Sequence, residues 1–195
     1  MHLIHRGIIS KHHKENLLQS FKQSFKKGYG VETDIHATKD NEFICFHDFT
    51  LKRTFKKNLS IKNLNCSKIN EISTKFNKPI PVLRDLLKSS KNKYPLFIEI
   101  KPILSKPLLK KLLKDTSKYK KCVFISFKHE NIYNLLKIKK NTKNKGNNSR
   151  KYESLLSNLL ECYCGENISG QIRKSVGKNY YTCSSKRNHY KGKDV

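Results

Sequence analysis

Acidic residues are scarce in this chain. Only 15 Asp and Glu stand against 42 Lys and Arg, which gives a formal net charge of +27. Such an excess is typical of proteins that bind nucleic acids or anionic surfaces. The lysines of residues 1–140 are spread along the chain and do not form one block, which favours a general compositional bias there. Under either interpretation the electrostatic field should favour anionic substrates.

Long apolar runs are absent as well. No stretch approaches the ~20 consecutive apolar residues of a membrane-spanning helix, so we expect no membrane insertion. The first residues, MHLIHRGIISKHHKEN, contain no hydrophobic signal core, which predicts a cytoplasmic chain that is not secreted. Six cysteines in that compartment argue against a disulfide framework. Cys45, Cys66 and Cys122 stand singly in or near apolar segments and are expected to be small buried hydrophobes.

Groups that bind metals or move protons are concentrated in residues 29–48, which read YGVETDIHATKDNEFICFHD. Two apolar runs, Val31–Ile35 and Phe43–Phe46, are typical of strands, and a polar turn separates them. Residues two apart in a strand point the same way, so Glu32 and Asp34 can direct two carboxylates at one point. A hard divalent cation such as Mg²⁺ or Ca²⁺ prefers an oxygen cluster of this kind.

The rest of the chain alternates between strand-like and helix-like segments. Further strands are predicted at residues 2–5, 95–101 and 122–127. Helical patterns are predicted at residues 15–28, 82–87, 107–113 and 132–136, whereas residues 49–80 show only weak periodicity. This alternation predicts repeated β-α units on a parallel sheet.

Polar side chains recur near the ends of these strands: His5, Glu32, Asp34, His47, Glu99 and Lys101. A (β/α)₈ barrel builds its active site at that rim, the C-terminal ends of its strands. A single His or Glu at a strand end is more often a hydrogen-bonded or surface group than a catalyst. Six such groups at one rim predict a functional site.

The chain contains these motifs in order: HRG, ENLLQSF, GYGVETDIHATKDNEFICFHD, LKRT, IPVLRDLL, LFIEIK and VFISF. Their order resembles that of the glycerophosphodiester phosphodiesterase family over about residues 2–138. The resemblance implies three metal-binding carboxylates, Glu32, Asp34 and Glu99, for one Mg²⁺ or Ca²⁺ ion. It also implies a paired general acid and base, His5 and His47, and two groups that neutralise phosphate, Arg6 and Lys101.

The resemblance further implies a reaction. A small glycerophosphodiester would be split into glycerol 3-phosphate and an alcohol, through a cyclic phosphate that forms when a glycerol hydroxyl attacks and that water then opens. One imidazole would deprotonate the attacking hydroxyl while the other protonates the leaving alkoxide. Imidazoles titrate near neutrality, so both protonation states are accessible. Three carboxylates suit either Mg²⁺ or Ca²⁺.

The resembling part is shorter than a complete barrel, which usually takes ~250 residues. The expected fold is therefore α/β: an incomplete TIM-type (β/α) barrel with about five parallel strands in residues 1–140, plus a small C-terminal β-ribbon. A basic, Asn-rich linker is predicted over residues 141–151. Five open strands leave unpaired edges, so a catalytically inactive remnant is a second hypothesis. A homodimer formed edge to edge would cover the open sheet.

Residues 152–195 resemble the zinc β-ribbon of large serine recombinases. The segment has a Leu-rich start, then Cys162 and Cys164, a basic hairpin, and a Tyr-Tyr-x-Cys ending at Cys183. Structural zinc takes four ligands, and His189 is the nearby substitute for a fourth cysteine. Cys162 and Cys164 are separated by one residue, whereas a zinc knuckle normally has at least two. The segment is thus either a Zn²⁺-binding ribbon or a degenerate metal-free hairpin. DNA binding through its basic residues is the third hypothesis.

Overall fold

The computed structural model describes residues 2–11, 14–143, 168–173 and 178–183. The chain divides into two units, Met1–Thr142 and Lys143–Val195. The strands are β1 (Leu3–His5), β2 (Gly30–Ala37), β3 (Phe43–Cys45), β4 (Leu96–Ile100), β5 (Cys122–Ile125), β6 (Ile168–Arg173) and β7 (Lys178–Cys183). The α-helices are α1 (Leu18–Lys26), α2 (Lys52–Phe55), α3 (Cys66–Lys75), α4 (Leu83–Ser90), α5 (Lys106–Thr116) and α6 (His129–Lys143), with a 3₁₀ turn at Ile61–Asn63.

β2 lies at the centre of the main sheet. The strand order is β1-β2-β4-β5, and every neighbouring pair in this path is parallel. β3 instead pairs antiparallel with the end of β2, with Ile35 opposite Cys45. The main sheet therefore has four parallel strands and one antiparallel strand, and the prediction of about five parallel strands was wrong for β3. Only residues 38–42 connect β2 to β3, and a parallel pair needs a crossover of about a dozen residues or more.

The polar turn between β2 and β3 is confirmed. The hydroxyl of Thr38 accepts a hydrogen bond from the backbone N–H of Glu42 at 3.0 Å. The same hydroxyl donates to Asp40 at 2.6 Å. Asn41 has a left-handed backbone with φ of 62°, a conformation that Asn tolerates better than most residues. These short polar side chains close the chain tightly between the two strands.

Helix α1 buries the apolar face that the sequence predicts, since Leu17, Phe21 and Phe25 are all buried. The helix begins at Leu18 and not at Glu15. Asn16 explains the difference, because its φ of 55° is incompatible with a right-handed helix. Past the end of the helix, Gly28 has a φ of 81°, which suits glycine at such a position.

Two apolar clusters stabilise the main unit. The larger one lies between the sheet and helices α1, α4, α5 and α6. The buried residues of the smaller cluster all lie within residues 44–80: Ile44, Phe46, Leu51, Phe55, Ile61, Ile69, Ile72 and Ile80. Residues 49–80 read as weakly periodic because α2 and the 3₁₀ turn are each only about one turn long. Burial of isolated apolar residues, and not a long amphipathic stripe, orders this segment.

In the second unit, strands β6 and β7 form a β-hairpin. β6 and β7 pair antiparallel, from Ile168 opposite Cys183 to Arg173 opposite Lys178. Across the described residues of both units, we find no helix that combines the length and the apolar character needed to cross a bilayer.

Candidate active site

The chain turns sharply after β1, and this turn places Arg6. Arg6 and Gly7 have consecutive positive φ angles of 55° and 78°. A Cβ on Gly7 would lie 2.8 Å from the carbonyl carbon of Ser20, so only glycine fits there. The backbone N–H of Arg6 donates to the carbonyl of Glu32 at 3.0 Å. The Arg6 side chain then reaches Asp34, with Nε 3.1 Å from Oδ2.

Three carboxylates converge beside Arg6. Glu32 and Asp34 share one face of β2, and Asp34 lies directly opposite Glu99 in the parallel β2-β4 register. One oxygen from each of the three residues lies within 4.8 Å of the others. Asp34 is fully buried, and Glu99 is nearly so. The strand period and the strand register thus bring together the three residues that the sequence predicts as a set.

The protein neutralises these carboxylates only in part. Lys101 Nζ lies 3.0 Å from Glu99 Oε1 and 3.5 Å from Asp34 Oδ1. Asn16 Nδ2 donates to Asp34 Oδ2 at 3.2 Å, and Thr33 in turn donates to Asn16 Oδ1 at 2.8 Å. Two buried oxygens, Glu32 Oε2 and Asp34 Oδ1, accept no hydrogen bond from any described residue. Such orphaned acceptors are costly unless another group satisfies them.

The pKa of Glu32 also indicates that the negative charge of this cluster is only partly offset. Burial, together with the negative charges of Asp34 and Glu99, raises the pKa of Glu32 to about 7. His5 is the nearest imidazole, with Nε2 3.7 Å from Glu32 Oε2, and its side chain is 71% exposed. A divalent cation fits this donor set, because it would satisfy the orphaned oxygens and offset the crowded negative charge.

His47 follows β3 and is held in a fixed orientation. Its Nδ1 lies 2.7 Å from Asp48 Oδ1, and an ionised carboxylate only accepts, so Nδ1 carries the donated proton. Nε2 is then the ring nitrogen left for substrate. The Nε2 of the buried His36 lies 3.2 Å from the carbonyl oxygen of His47. The His36 ring also packs edge-on against Phe49, with centroids 4.9 Å apart.

A chain of ion pairs joins the His47 loop to the turn after β1. Arg53 Nε donates to Asp48 Oδ2 at 2.6 Å, and Arg53 Nη2 donates to Glu15 Oε1 at 2.5 Å. Glu15 Oε2 accepts from Arg6 Nη1 at 2.9 Å. Burial raises the pKa of Glu15, but the hydrogen bonds from Arg53 and Arg6 outweigh burial and hold the pKa below its ordinary value. Glu15 therefore bridges the two arginines as an anion.

The structure brings six of the predicted residues into one cluster: His5, Arg6, Glu32, Asp34, Glu99 and Lys101. His47 makes no hydrogen bond or ion pair to the three carboxylates within the described residues; it connects through Asp48, Arg53 and Glu15. Sequence reasoning missed the roles of Glu15, Asn16 and Arg53. The signal for Asn16 was an asparagine just before a helix, a position where left-handed backbone is common.

The predicted zinc ligands are not tested by the structure. Cys162, Cys164 and His189 lie outside the described residues, and Cys183 is described only through its backbone in β7. Their role stays a prediction. Of the other cysteines, Cys45 is buried as expected, whereas Cys66 and Cys122 are partly exposed.

A protein-family model described as the Glycerophosphoryl diester phosphodiesterase family matches residues 5–159. This span contains every residue of the cluster and of the ion-pair chain. The chain belongs to this family. A glycerophosphodiester phosphodiesterase of Caldanaerobacter subterraneus subsp. tengcongensis is 30% identical over 152 residues, which cover 71% of this chain and 61% of that relative.

Solved structures of phosphodiesterases share the fold. The glycerophosphodiester phosphodiesterase of Thermotoga maritima superposes with a TM-score of 0.60 at 26% identity, covering 69% of this chain and 57% of that one. A phosphodiesterase of Oleispira antarctica, solved with the product sn-glycerol-3-phosphate, gives a TM-score of 0.58 at 22% identity, covering 71% of this chain and 60% of that one. The chain thus spans about three fifths of the length of these relatives.

Proposed function

We propose that this protein hydrolyses glycerophosphodiesters to glycerol 3-phosphate and an alcohol, with one divalent cation held by Glu32, Asp34 and Glu99. The observation that carries the proposal is the convergence of three carboxylates within 4.8 Å, two of whose buried oxygens receive no hydrogen bond from a described residue. Membership of the family and the product bound to the Oleispira antarctica relative support the choice of reaction.

The donor set consists of carboxylate oxygens alone, which suits Mg²⁺ or Ca²⁺ better than a soft metal. A bound divalent cation would supply Lewis-acid polarisation of the phosphate oxygens and a template for the glycerol hydroxyl. Arg6 and Lys101 border the same carboxylates, with only 17% and 15% of their side chains exposed. Their positive charges would offset the charge that develops on the phosphate.

His47 is suited to proton transfer because Asp48 fixes its Nδ1–H and leaves Nε2 for the substrate. His5, at the end of β1, would be the second proton-transfer group. A bond would form between the glycerol hydroxyl oxygen and phosphorus as one imidazole removes the hydroxyl proton. The bond from phosphorus to the alcohol oxygen would break as the other imidazole supplies a proton. Water would then open the cyclic phosphate in the reverse sense.

The proposal is tested by following glycerophosphocholine with ³¹P NMR in the presence of the full chain. With Mg²⁺ or Ca²⁺ we expect glycerol 3-phosphate to form, with choline as the second product, and excess chelator should stop the reaction. A transient cyclic phosphate would support the order of bond formation. A folded protein that leaves the diester intact with both metals would contradict the proposal and would favour the inactive-remnant hypothesis.

A further inference from the structure

A cleft of about 460 Å³ opens beside the candidate site. Four of its lining residues belong to the network described above: Glu15, Asn16, His47 and Arg53. Asn16 holds Asp34 by a hydrogen bond of 3.2 Å, and His47 is the oriented imidazole. The remaining part of a diester whose phosphate sits at the carboxylates could therefore extend towards this cleft.

The lining of this cleft combines an apolar floor with a basic rim. Leu17, Phe46, Phe55 and Ile80 form the floor and are all buried. The rim carries three lysines: Lys14, Lys56 and Lys78. Within the described residues none of these lysines makes an ion pair. The one carboxylate that lines the cleft, Glu15, already bridges Arg6 and Arg53. The rim charge is therefore uncompensated.

A second cleft differs from the first because its cations are paired. That cleft is lined by Glu42, Arg84, Lys111 and Asp115, among others. There Arg84 lies 2.7 Å from Glu42, and Lys111 lies 2.8 Å from Asp115. Each cation of the second cleft thus has a carboxylate partner, whereas the three rim lysines of the first cleft have none among the described residues. A third cleft is lined by Lys110, Lys114 and Lys120, which also make no ion pair among the described residues. The first cleft is therefore distinguished by combining unpaired lysines with Asn16 and His47 of the candidate site.

We propose that the cleft beside the site binds the alcohol portion of the substrate and selects alcohols that carry a second anionic group, such as a phosphomonoester. This inference rests on the proposed function, because that function places the diester at the carboxylates. An apolar floor lowers the local dielectric, so the lysine charges act more strongly on a bound anion than they would in water. The same charges repel a cationic alcohol such as choline.

The test compares two diesters that differ only in the group concerned. One is glycerophosphoglycerol, and the other is the same molecule with a phosphate on the far glycerol. We expect kcat/KM to be about tenfold higher for the phosphorylated diester, mainly through KM, and the preference to shrink in about 0.5 M salt. Combining Lys14→Gln, Lys56→Gln and Lys78→Gln should bring the ratio near one. The matched control, Arg84→Gln with Lys111→Gln, alters the second cleft and should keep the ratio.

A binding experiment distinguishes a failure of this inference from a failure of the proposed function. The two diesters are titrated calorimetrically into the full chain with chelator present, so that binding is read without turnover. If this binding preference is present but neither diester is hydrolysed when Mg²⁺ or Ca²⁺ is supplied, the proposed reaction is overturned and the anion subsite is retained. Hydrolysis of both diesters at equal kcat/KM, or a preference that survives the triple lysine change, would overturn the subsite.

Discussion

Two acidic clusters of the main unit differ in how their charge is balanced. On the surface, Glu42 and Asp115 face Arg84 and Lys111 across a partly solvated cleft, and every carboxylate has a cation. At the rim, three carboxylates are crowded together with two partly buried cations, and two carboxylate oxygens accept no hydrogen bond from a described residue. The two clusters thus differ in uncompensated buried negative charge, and this charge, not acidity as such, makes the rim cluster a candidate metal site.

The largest expected effect comes from Glu32→Gln. Removing this proposed metal ligand should lower kcat/KM by at least about 100-fold. In chelator the same change should leave the melting temperature unchanged or raise it, because a carboxylate crowded by Asp34 and Glu99 is replaced by a neutral group. Steady-state rates measure the change in kcat/KM, and differential scanning fluorimetry with and without metal measures the change in melting temperature.

Glu42→Gln is the matched control for Glu32→Gln. It removes a carboxylate from the surface cluster, where Arg84 and Lys111 are the partners. Activity and metal-induced stabilisation should stay at the level of the unsubstituted protein. If Glu42→Gln impaired hydrolysis as much as Glu32→Gln does, the contrast between the two clusters would be lost.

A second large effect is expected for His47→Gln, which removes the imidazole oriented by Asp48. We expect kcat to fall by about 10²–10⁴-fold, with the metal affinity preserved, because His47 makes no hydrogen bond or ion pair to Glu32, Asp34 or Glu99 among the described residues. Steady-state rates and a calorimetric metal titration would show this split. His129→Gln, at an exposed position at the start of α6, is the control and should leave both quantities unchanged.

A smaller effect is expected for Glu15→Gln, which weakens the bridge between Arg6 and Arg53. The bridge joins the turn after β1 to the His47 loop, so we expect kcat to fall about tenfold while metal affinity is retained. Glu71 offers a matched comparison, because it also bridges two cations, Lys68 and Lys75, but on an exposed helix face. Glu71→Gln should not change the rate. Equal rates for Glu15→Gln and the unsubstituted protein would show that the bridge does not contribute to catalysis.

The smallest effect concerns Asp48 and acid stability. Burial raises the pKa of Asp48, but hydrogen bonds from Arg53 and His47 outweigh burial and hold it below its ordinary value of 3.8. A carboxyl with a lowered pKa in the folded state stabilises the fold above its unfolded pKa, and this contribution is lost as the pH falls through the folded value. Melting temperatures between about pH 6 and pH 2 should therefore fall less steeply in Asp48→Asn. An unchanged slope would contradict this assignment.

Much of the candidate site could be predicted from the sequence, because it follows local rules. Glu32 and Asp34 are two residues apart in a strand, and Glu99 lies near the end of the neighbouring parallel strand, so strand period and register alone bring them together. The Arg53 to Glu15 contact joins residues 38 positions apart and could not be inferred from either segment alone. The strand β3 was predicted, but its antiparallel direction was missed because an apolar run predicts a strand and not the direction in which it pairs.

The central claim is that Glu32, Asp34 and Glu99 hold a catalytic divalent cation in this chain. The most direct measurement is the rate of glycerol 3-phosphate release from glycerophosphoglycerol by the full chain, titrated with Mg²⁺ or Ca²⁺ after removal of metal, alongside Glu99→Gln. We predict a rate that rises from near zero to a plateau with added metal and that is lost in Glu99→Gln. A rate that is independent of metal, or that Glu99→Gln leaves intact, would contradict the claim.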